Sequence, residues 1–240
     1  MKFSKLPPSV STSQGIKILQ VINVFETGTK EGKYDAFVAY ADFSYKGNNY
    51  MQITYGRSQT TEFGNLKKLI EMYIYANGVY KTQFQTYLPQ IGIFENNIPK
   101  TLCKDIVFVN LLKEAANNDA IMRDVQDTFF DNYYFQPAVA WFTHYGFTLP
   151  LSLLVIYDSF IHSGGIFSFL RERFSAFPPS MNGDEKDWIK QYTETRNIWL
   201  EHHSKPVVRL SQYRTKCLLN QIENNNWDLT QTISTQGVNI

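Results

Sequence analysis

An apolar segment with helical spacing, Gln14 to Glu26, lies directly before a polar hairpin. Aliphatic and aromatic side chains recur in it at helical intervals, which predicts a helix with a wide buried face. Ser11 and Ser13 are both candidate N-caps, because their hydroxyls can accept a hydrogen bond from an unpaired backbone N–H. Gly28 suits the left-handed position that ends many helices. The predicted helix therefore ends at the acidic residue Glu26.

A carboxylate in this position is unfavourable, because the helix dipole favours cations at the C-terminus. The penalty is about 0.3–1 kcal/mol, and an apolar setting would add to it. Glu26 is therefore expected to hold a proton more readily than a solvated Glu, which is the property that a general acid needs. A solvated Glu at an ordinary helix end is the alternative interpretation.

The hairpin supplies a second carboxylate. Two segments rich in aromatic and β-branched residues, Tyr34–Asp42 and Tyr50–Tyr55, flank the turn residues Lys46 to Asn49. A helix-end Glu and the hairpin residue Asp42 give the two-carboxylate arrangement of glycoside hydrolysis. A separation of roughly 6.5–9.5 Å between the carboxyl groups would indicate inversion, and about 5 Å would indicate retention.

The second strand and the polar turn after it carry side chains that hydrogen-bond sugars. We predict that four of them position the substrate or the attacking water: Gln52, Thr54, Arg57 and Thr60. An ordinary strand–loop–helix junction is the alternative. Glu62 and Asp35 are less favoured candidates for the second catalytic carboxylate.

The composition excludes several classes of protein. The 240 residues allow one large domain or two lobes with a sizeable apolar core. A net charge of +1 gives no basic footprint for nucleic acid, and it is not the acidic balance expected of a protein that grips a polycation. No apolar run approaches the roughly 20 residues that cross a bilayer. The two cysteines, Cys103 and Cys217, make no disulfide framework.

After about residue 100 the pattern is nearly all helical, and its centre is the apolar segment Leu149–His162. A buried aspartate is costly unless it is paired, so Asp158 in this segment is expected to have a cationic partner. Arg196 and Arg214 lie on later predicted helices, so we predict that they form a buried cluster with Asp158. The cluster is either a structural ion network or part of the functional site. His162 is one turn from Asp158, but no third ligand has a suitable spacing, so we predict no metal. No phosphate-binding loop is present, and we expect no cofactor.

These elements together predict a mainly α (α+β) fold in one catalytic domain, residues 1–240. Residues 90–100 contain turn formers and are interpreted as a loop between lobes. The expected minor lobe covers about 27–98, and the major lobe covers about 1–26 plus 99–240. Residues 166–177 are predicted to form a helix that ends at Pro178.

In this order, the segments resemble the chitosanases of glycoside hydrolase family 46. They are collinear over most of the chain, although no single one is specific. The matching pieces are the helix ending in Glu26 with the hairpin through Tyr50 and Gly56, Asn118-Asp119 through Tyr134-Phe135-x-Pro137-Ala138-Val139, Val155-Ile156-Tyr157-Asp158-x-x-x-His162-x-Gly164, Asp184-Glu185 to Arg196, and Arg214 with Asn226-x-Asp228-Leu229.

The resemblance implies the two-lobed, mainly helical lysozyme-like fold with a small β-hairpin beside the catalytic helix. It implies that Glu26 is the general acid that protonates the leaving glycosidic oxygen. Asp158, Arg196 and Arg214 match a buried network behind the cleft that helps set the charge state of this acid.

Two departures from the family pattern affect the second carboxylate and the substrate. The position expected for the family's Asp falls near Lys46, in a turn that looks longer, so Asp42 is the nearest carboxylate able to serve as base. The family's Arg-containing, Gly-rich turn is missing. The absence of that turn bears on whether chitosan is the substrate.

The near-neutral charge favours a lysozyme-like action on the β-1,4-linked glycan strand of peptidoglycan over action on chitosan, a polycation. The N-terminal stretch also lacks the apolar core of a classical signal peptide. A specialised secretion route would then carry an antibacterial effector to the periplasm of a target cell or outside the cell, with an immunity or delivery partner. Chitosan hydrolysis and a catalytically inactive glycan-binding module are the alternatives.

Overall fold

The structure is a computed structural model that describes residues 3–57 and 59–240. The chain divides into two compact units. Met1–Glu31 together with Asp131–Ile240 is the first unit, and Gly32–Phe130 is the second unit. The chain therefore begins in the first unit, passes through the second and returns to the first.

Helix α1 (Thr12–Thr27) confirms the predicted helix, although it begins two residues before Gln14 and ends one residue after Glu26. Ser11 is the N-cap, and it forms a capping box with Gln14, in which each side chain bonds the backbone N–H of the other residue. Gly28 ends the helix with a φ of +74°, a left-handed conformation that glycine adopts without strain. Of the two predicted N-caps, the structure thus selects Ser11.

The second unit contains an antiparallel sheet of β1 (Phe37–Tyr45), β2 (Asn48–Tyr55) and β3 (Thr60–Thr61), in that order. Lys46 and Gly47 form the two-residue turn between β1 and β2, and both have positive φ angles. The predicted hairpin is confirmed, although β1 begins and ends three residues later than the sequence suggested.

The rest of the second unit is mainly helical. Residues predicted as a loop between lobes contain a small antiparallel hairpin, because Asn96 and Asn97 adopt the positive φ angles of a tight turn. In chain order the elements are α2 (Leu66–Tyr75), α3 (Lys81–Tyr87), β4 (Ile93–Glu95), β5 (Ile98–Lys100), α4 (Ile106–Asn118) and α5 (Ala120–Phe130).

Helix α5 contacts both α2 and α4, so the second unit continues to the end of α5. The minor lobe expected from the sequence stops at about residue 98, before helices α4 and α5. The interpretation of the whole chain as one catalytic domain stays a prediction.

The chain returns to the first unit through a π-helical turn, Asp131–Phe135. The helices that follow are α6 (Gln136–His144), α7 (Pro150–Ser163), α8 (Ser168–Arg171), α9 (Glu185–Glu201), α10 (Pro206–Arg209) and α11 (Gln212–Glu223), and a short hairpin of β6 (Ser234–Thr235) and β7 (Val238–Asn239) comes last.

Helix α7 is the centre of the first unit, and its first ten residues are all buried. It contacts α1, α6, α9 and α11, as expected for a helix that is apolar on every side. The helix predicted for residues 166–177 is wrong beyond α8. There the Arg171 guanidinium donates to the carbonyls of Phe174 and Ala176, so a side chain satisfies carbonyls in a non-helical segment.

The fold is mainly helical with small antiparallel sheets, as the sequence predicted. Within the described residues, no helix combines the length and the apolar character needed to cross a membrane.

Candidate active site

Glu26 lies in the last turn of α1, with its side chain 11% exposed. Its Oε1 is 2.7 Å from Nη2 of Arg214, which belongs to α11. The carboxylate is therefore neither packed in the apolar core nor freely solvated. It is held by a buried guanidinium and remains partly accessible.

Asp158 is the centre of the cluster behind Glu26 and is fully buried in α7. Arg196 of α9 donates to its Oδ2 at 2.5 Å, and Nε of Arg214 donates to its Oδ1 at 2.8 Å. Arg214 thus bridges the carboxylates of Asp158 and Glu26. The three residues that the sequence suggested as a buried cluster lie in direct contact.

The charges in this cluster balance one another. Burial alone would raise the pKa of Asp158, but the guanidiniums of Arg214 and Arg196 outweigh burial and lower it to about 2. Burial likewise opposes the charge on Arg214, yet Asp158 and Glu26 raise the pKa of Arg214. Two guanidiniums and two carboxylates form a neutral set when Glu26 is ionised, which explains how the charges are tolerated at low exposure.

His162, one turn after Asp158, is not a cation at neutral pH. Burial, followed by the nearby guanidiniums of Arg196 and Arg214, lowers the pKa of His162 to about 4. Asp158 is already bound by two arginines, which leaves no role for it as a metal ligand. Across residues 3–57 and 59–240, no group of three or more His, Cys, Asp or Glu side chains is placed to hold a metal ion.

Asp42 lies in the second unit, at an irregularity in β1. Tyr40 pairs with Gln52 and Phe43 pairs with Tyr50, so Ala41 and Asp42 together oppose one residue of β2. This is the geometry of a β-bulge, which re-aims side chains at many active sites. The Gln52 amide donates to Oδ1 of Asp42 at 2.8 Å, and Asp42 is exposed.

Gln52 has a fixed orientation. The backbone N–H of Phe63 donates to its Oε1 at 3.4 Å, which leaves its Nε2 to donate to Asp42. Gln52 was predicted to position substrate or water, whereas its observed partner is the carboxylate. Thr54, which had the same prediction, is on the same strand and buried.

Arg57 and Thr60 were predicted to contact the substrate, and the structure gives both a structural role. Arg57 is 2% exposed, pairs with Asp127 at 2.9 Å and lies over the Phe130 ring at 4.3 Å. The Thr60 hydroxyl is fully buried and donates to the Tyr55 carbonyl at 3.0 Å. Both side chains are buried and bonded inside the second unit, and their role in positioning the substrate or the attacking water stays a prediction.

Glu62, the alternative second carboxylate, is also buried. It accepts hydrogen bonds from the Thr101 hydroxyl and from the backbone N–H groups of Ile53 and Leu102. Burial raises the pKa of Glu62 in spite of these bonds. Glu62 thus joins β2 to the segment after β5, and its role as the alternative second carboxylate stays a prediction. Asp35 accepts from the Asn117 amide at 3.2 Å.

One residue near Glu26 was not among the predicted site residues. Tyr213, next to Arg214 on α11, donates from its hydroxyl to the Phe25 carbonyl at 2.6 Å. Nothing in the spacing of the sequence shows that Tyr213 reaches α1.

Comparison with known proteins places these elements in a family. The model of glycosyl hydrolase family 46 matches residues 20–233. A chitosanase of Bacillus subtilis (strain 168) is 26% identical over 227 residues, which cover 89% of this chain and 78% of that protein.

Solved structures show the same fold. A mutant chitosanase of Bacillus subtilis MY002, complexed with 6 GlcN, is 24% identical with a TM-score of 0.78, and the match covers 96% of this chain and 98% of the other. A family 46 chitosanase of Gynuella sunshinyii, in complex with chitotetraose, is 23% identical with a TM-score of 0.73, covering 96% and 98%. These likenesses confirm the lysozyme-like fold. The chain belongs to glycosyl hydrolase family 46 and is an endo-acting glycoside hydrolase.

Proposed function

We propose that the protein is a chitosanase that cleaves β-1,4 linkages within chains of glucosamine. The substrate is supported by relatives that are themselves chitosanases, two of them in complex with glucosamine oligomers. The contact of Glu26 with the Asp158–Arg214 pair is the observation that carries the catalytic assignment, because it gives a partly accessible carboxyl group a fixed cationic partner.

In this proposal Glu26 acts as the general acid. Its proton passes to the glycosidic oxygen while the bond from that oxygen to C1 breaks, and the leaving sugar departs with a free hydroxyl. The carboxylate that remains is stabilised by Arg214, which Asp158 holds in place. Such preorganised charge acts where negative charge develops during the reaction.

Asp42 is assigned the role of general base. It accepts a proton from a water molecule, whose oxygen attacks C1 from the face opposite the leaving group, and the product is the inverted anomer. The amide of Gln52 holds the Asp42 carboxylate for this task. The bulge in β1 and the exposure of Asp42 support this role, since a base must reach water.

The preference for peptidoglycan that the near-neutral charge suggested finds no support among the relatives, which are chitosanases. A net charge is a weak guide, because it says nothing about how charges are distributed over the surface. An effector function, a delivery route and an immunity partner stay predictions.

Parallel assays on two substrates test the proposal. The purified protein should release reducing ends from chitosan, proton NMR should detect the α-anomer as the first product, and dye-labelled peptidoglycan should release no dye. Dye release without chitosan cleavage would contradict the substrate assignment. Binding of chitosan oligomers without any hydrolysis would instead identify a glycan-binding module.

A further inference from the structure

The last turn of α1 carries Glu26, and the carbonyls of such a turn lack intrahelical partners. Several groups satisfy them. The Asn23 carbonyl accepts from the Thr27 hydroxyl at 2.9 Å, and the Val24 carbonyl accepts from the backbone N–H of Gly28 at 3.0 Å. The carbonyl immediately before Glu26 has a partner from a distant part of the chain.

That carbonyl belongs to Phe25, and it accepts from the hydroxyl of Tyr213 at 2.6 Å. The two rings also make an edge contact, with their centroids 5.8 Å apart. The Arg214 guanidinium lies 5.0 Å from the centre of the Phe25 ring. Two consecutive residues of α11 therefore hold two consecutive residues of α1, one through the backbone and the other through the Glu26 carboxylate.

A second group supports the same turn. The Gln236 amide, between β6 and β7, donates to the Val24 carbonyl at 3.3 Å. Burial raises the pKa of Tyr213, so its hydroxyl remains a neutral donor throughout the working pH range of an enzyme. The backbone of the turn is thus fixed by donors that keep their protons.

We propose that Tyr213 is a positioning residue for Glu26, assisted by Gln236, and that it fixes the last turn of α1 so that the carboxyl group keeps its orientation against Arg214. Without the phenol hydroxyl, the Phe25 carbonyl must turn toward water, and the turn that carries Glu26 loosens. A misplacement of about 1 Å can cost about 10²-fold in rate. This inference rests on the proposed role of Glu26 as the acid.

The test compares Tyr213→Phe with Tyr192→Phe. The Tyr192→Phe variant also loses one buried hydroxyl of the first unit, but that hydroxyl donates to the Ser159 hydroxyl on α7 at 2.9 Å. On chitosan, Tyr213→Phe should lower kcat about tenfold and leave KM within about twofold, because ground-state binding is unaffected. Tyr192→Phe should lower the Tm by a similar few degrees and leave kcat unchanged.

A kcat for Tyr213→Phe within twofold of the wild type would overturn the inference, as would an equal fall of kcat in Tyr213→Phe and Tyr192→Phe.

Glu26→Gln is measured in parallel. If Glu26→Gln keeps its turnover, the proposed function fails; if it loses turnover while Tyr213→Phe does not, only the positioning role fails. Should Tyr213→Phe not fold, Gln236→Ala replaces it. That variant should lower kcat about two- to threefold, and an unchanged kcat would contradict the proposal.

Discussion

The surroundings of Glu26 and Asp42 differ in almost every physical respect. Glu26 ends a helix and meets a guanidinium that is itself fixed by the fully buried Asp158. Asp42 is exposed on a bulged strand, where its carboxylate accepts a hydrogen bond from the neutral amide of Gln52. The position of the Glu26 carboxylate is thus fixed by a network of buried charges, and the position of the Asp42 carboxylate is fixed by the local shape of a hairpin.

The two arrangements should respond differently to a change in sequence. A buried charged pair fails when one member changes, because the remaining charge is left unpaired. A hairpin tolerates a bulge, since the strands keep their pairing on either side of it while the position of a carboxylate shifts. The resemblance to family 46 places the acid at Glu26, whereas the position it implies for the base falls near Lys46, and we propose Asp42 for that role.

The largest effect is expected for Asp158→Asn. The change leaves Arg196 and Arg214 buried with less negative charge, which should lower the free energy of unfolding by about 3–5 kcal/mol and reduce kcat by about 10²-fold. Asp127→Asn in the second unit is the matched control, because it breaks the buried pair with Arg57 and should cost stability without lowering the kcat of the folded protein. Equal losses of kcat in both variants would show that the network around Glu26 has no special role.

The same substitution has a defined pH dependence. The folded-state pKa of Asp158, about 2, lies below its usual value of 3.8, so its charge stabilises the fold fully above about pH 4. This stabilisation is lost as the pH falls through 2, where the carboxyl group becomes protonated. The Tm difference between the wild type and Asp158→Asn should therefore be largest near neutral pH and shrink toward pH 2. A difference that stays constant over this range would contradict the ion-pair assignment.

Asp42→Asn should lower kcat on chitosan by about 10²-fold, the size expected for the loss of a general base. The stability of the variant should change little, because the Asp42 side chain is exposed and an amide can still accept or donate a hydrogen bond beside Gln52. Asp35→Asn is the control, since Asp35 bonds the Asn117 amide and is the remaining carboxylate candidate in this part of the chain. A loss of rate in Asp35→Asn but not in Asp42→Asn would move the role of base to Asp35.

The helix that ends in Glu26 could be predicted from the sequence because its signals are local. The Ser11 cap, the apolar spacing and Gly28 all lie within one short segment. The Asp158 cluster could also be predicted, because an aspartate in an apolar helix requires cations and two arginines were available. In each case the type of residue at a given position was compatible with few local structures or few partners.

The substrate contacts could not be predicted in the same way. Arg57 and Thr60 have the chemistry of sugar-binding residues, but tertiary packing decides whether they face solvent, and it buries both. Two further features could not be predicted either. The hairpin at Asn96 and Asn97 depends on backbone angles, and the hydrogen bond from Tyr213 to the Phe25 carbonyl is a long-range contact. Composition and spacing do not contain this information.

The smallest effect is expected for Thr60→Val. The substitution removes the hydrogen bond to the Tyr55 carbonyl and should lower the free energy of unfolding by about 1 kcal/mol. The kcat and KM on chitosan should be unchanged, since the hydroxyl is buried. A tenfold fall in kcat at an unchanged Tm would return Thr60 to the residues that position the substrate.

The central claim is that the Glu26 carboxyl group, held by Arg214, supplies the proton that cleaves chitosan. The most direct measurement is the rate of reducing-end release from chitosan by the wild type and by Glu26→Gln, with circular dichroism to confirm that both are folded. We expect a folded variant whose kcat falls by about 10³-fold or more. A folded Glu26→Gln protein that keeps a rate within tenfold of the wild type would contradict it.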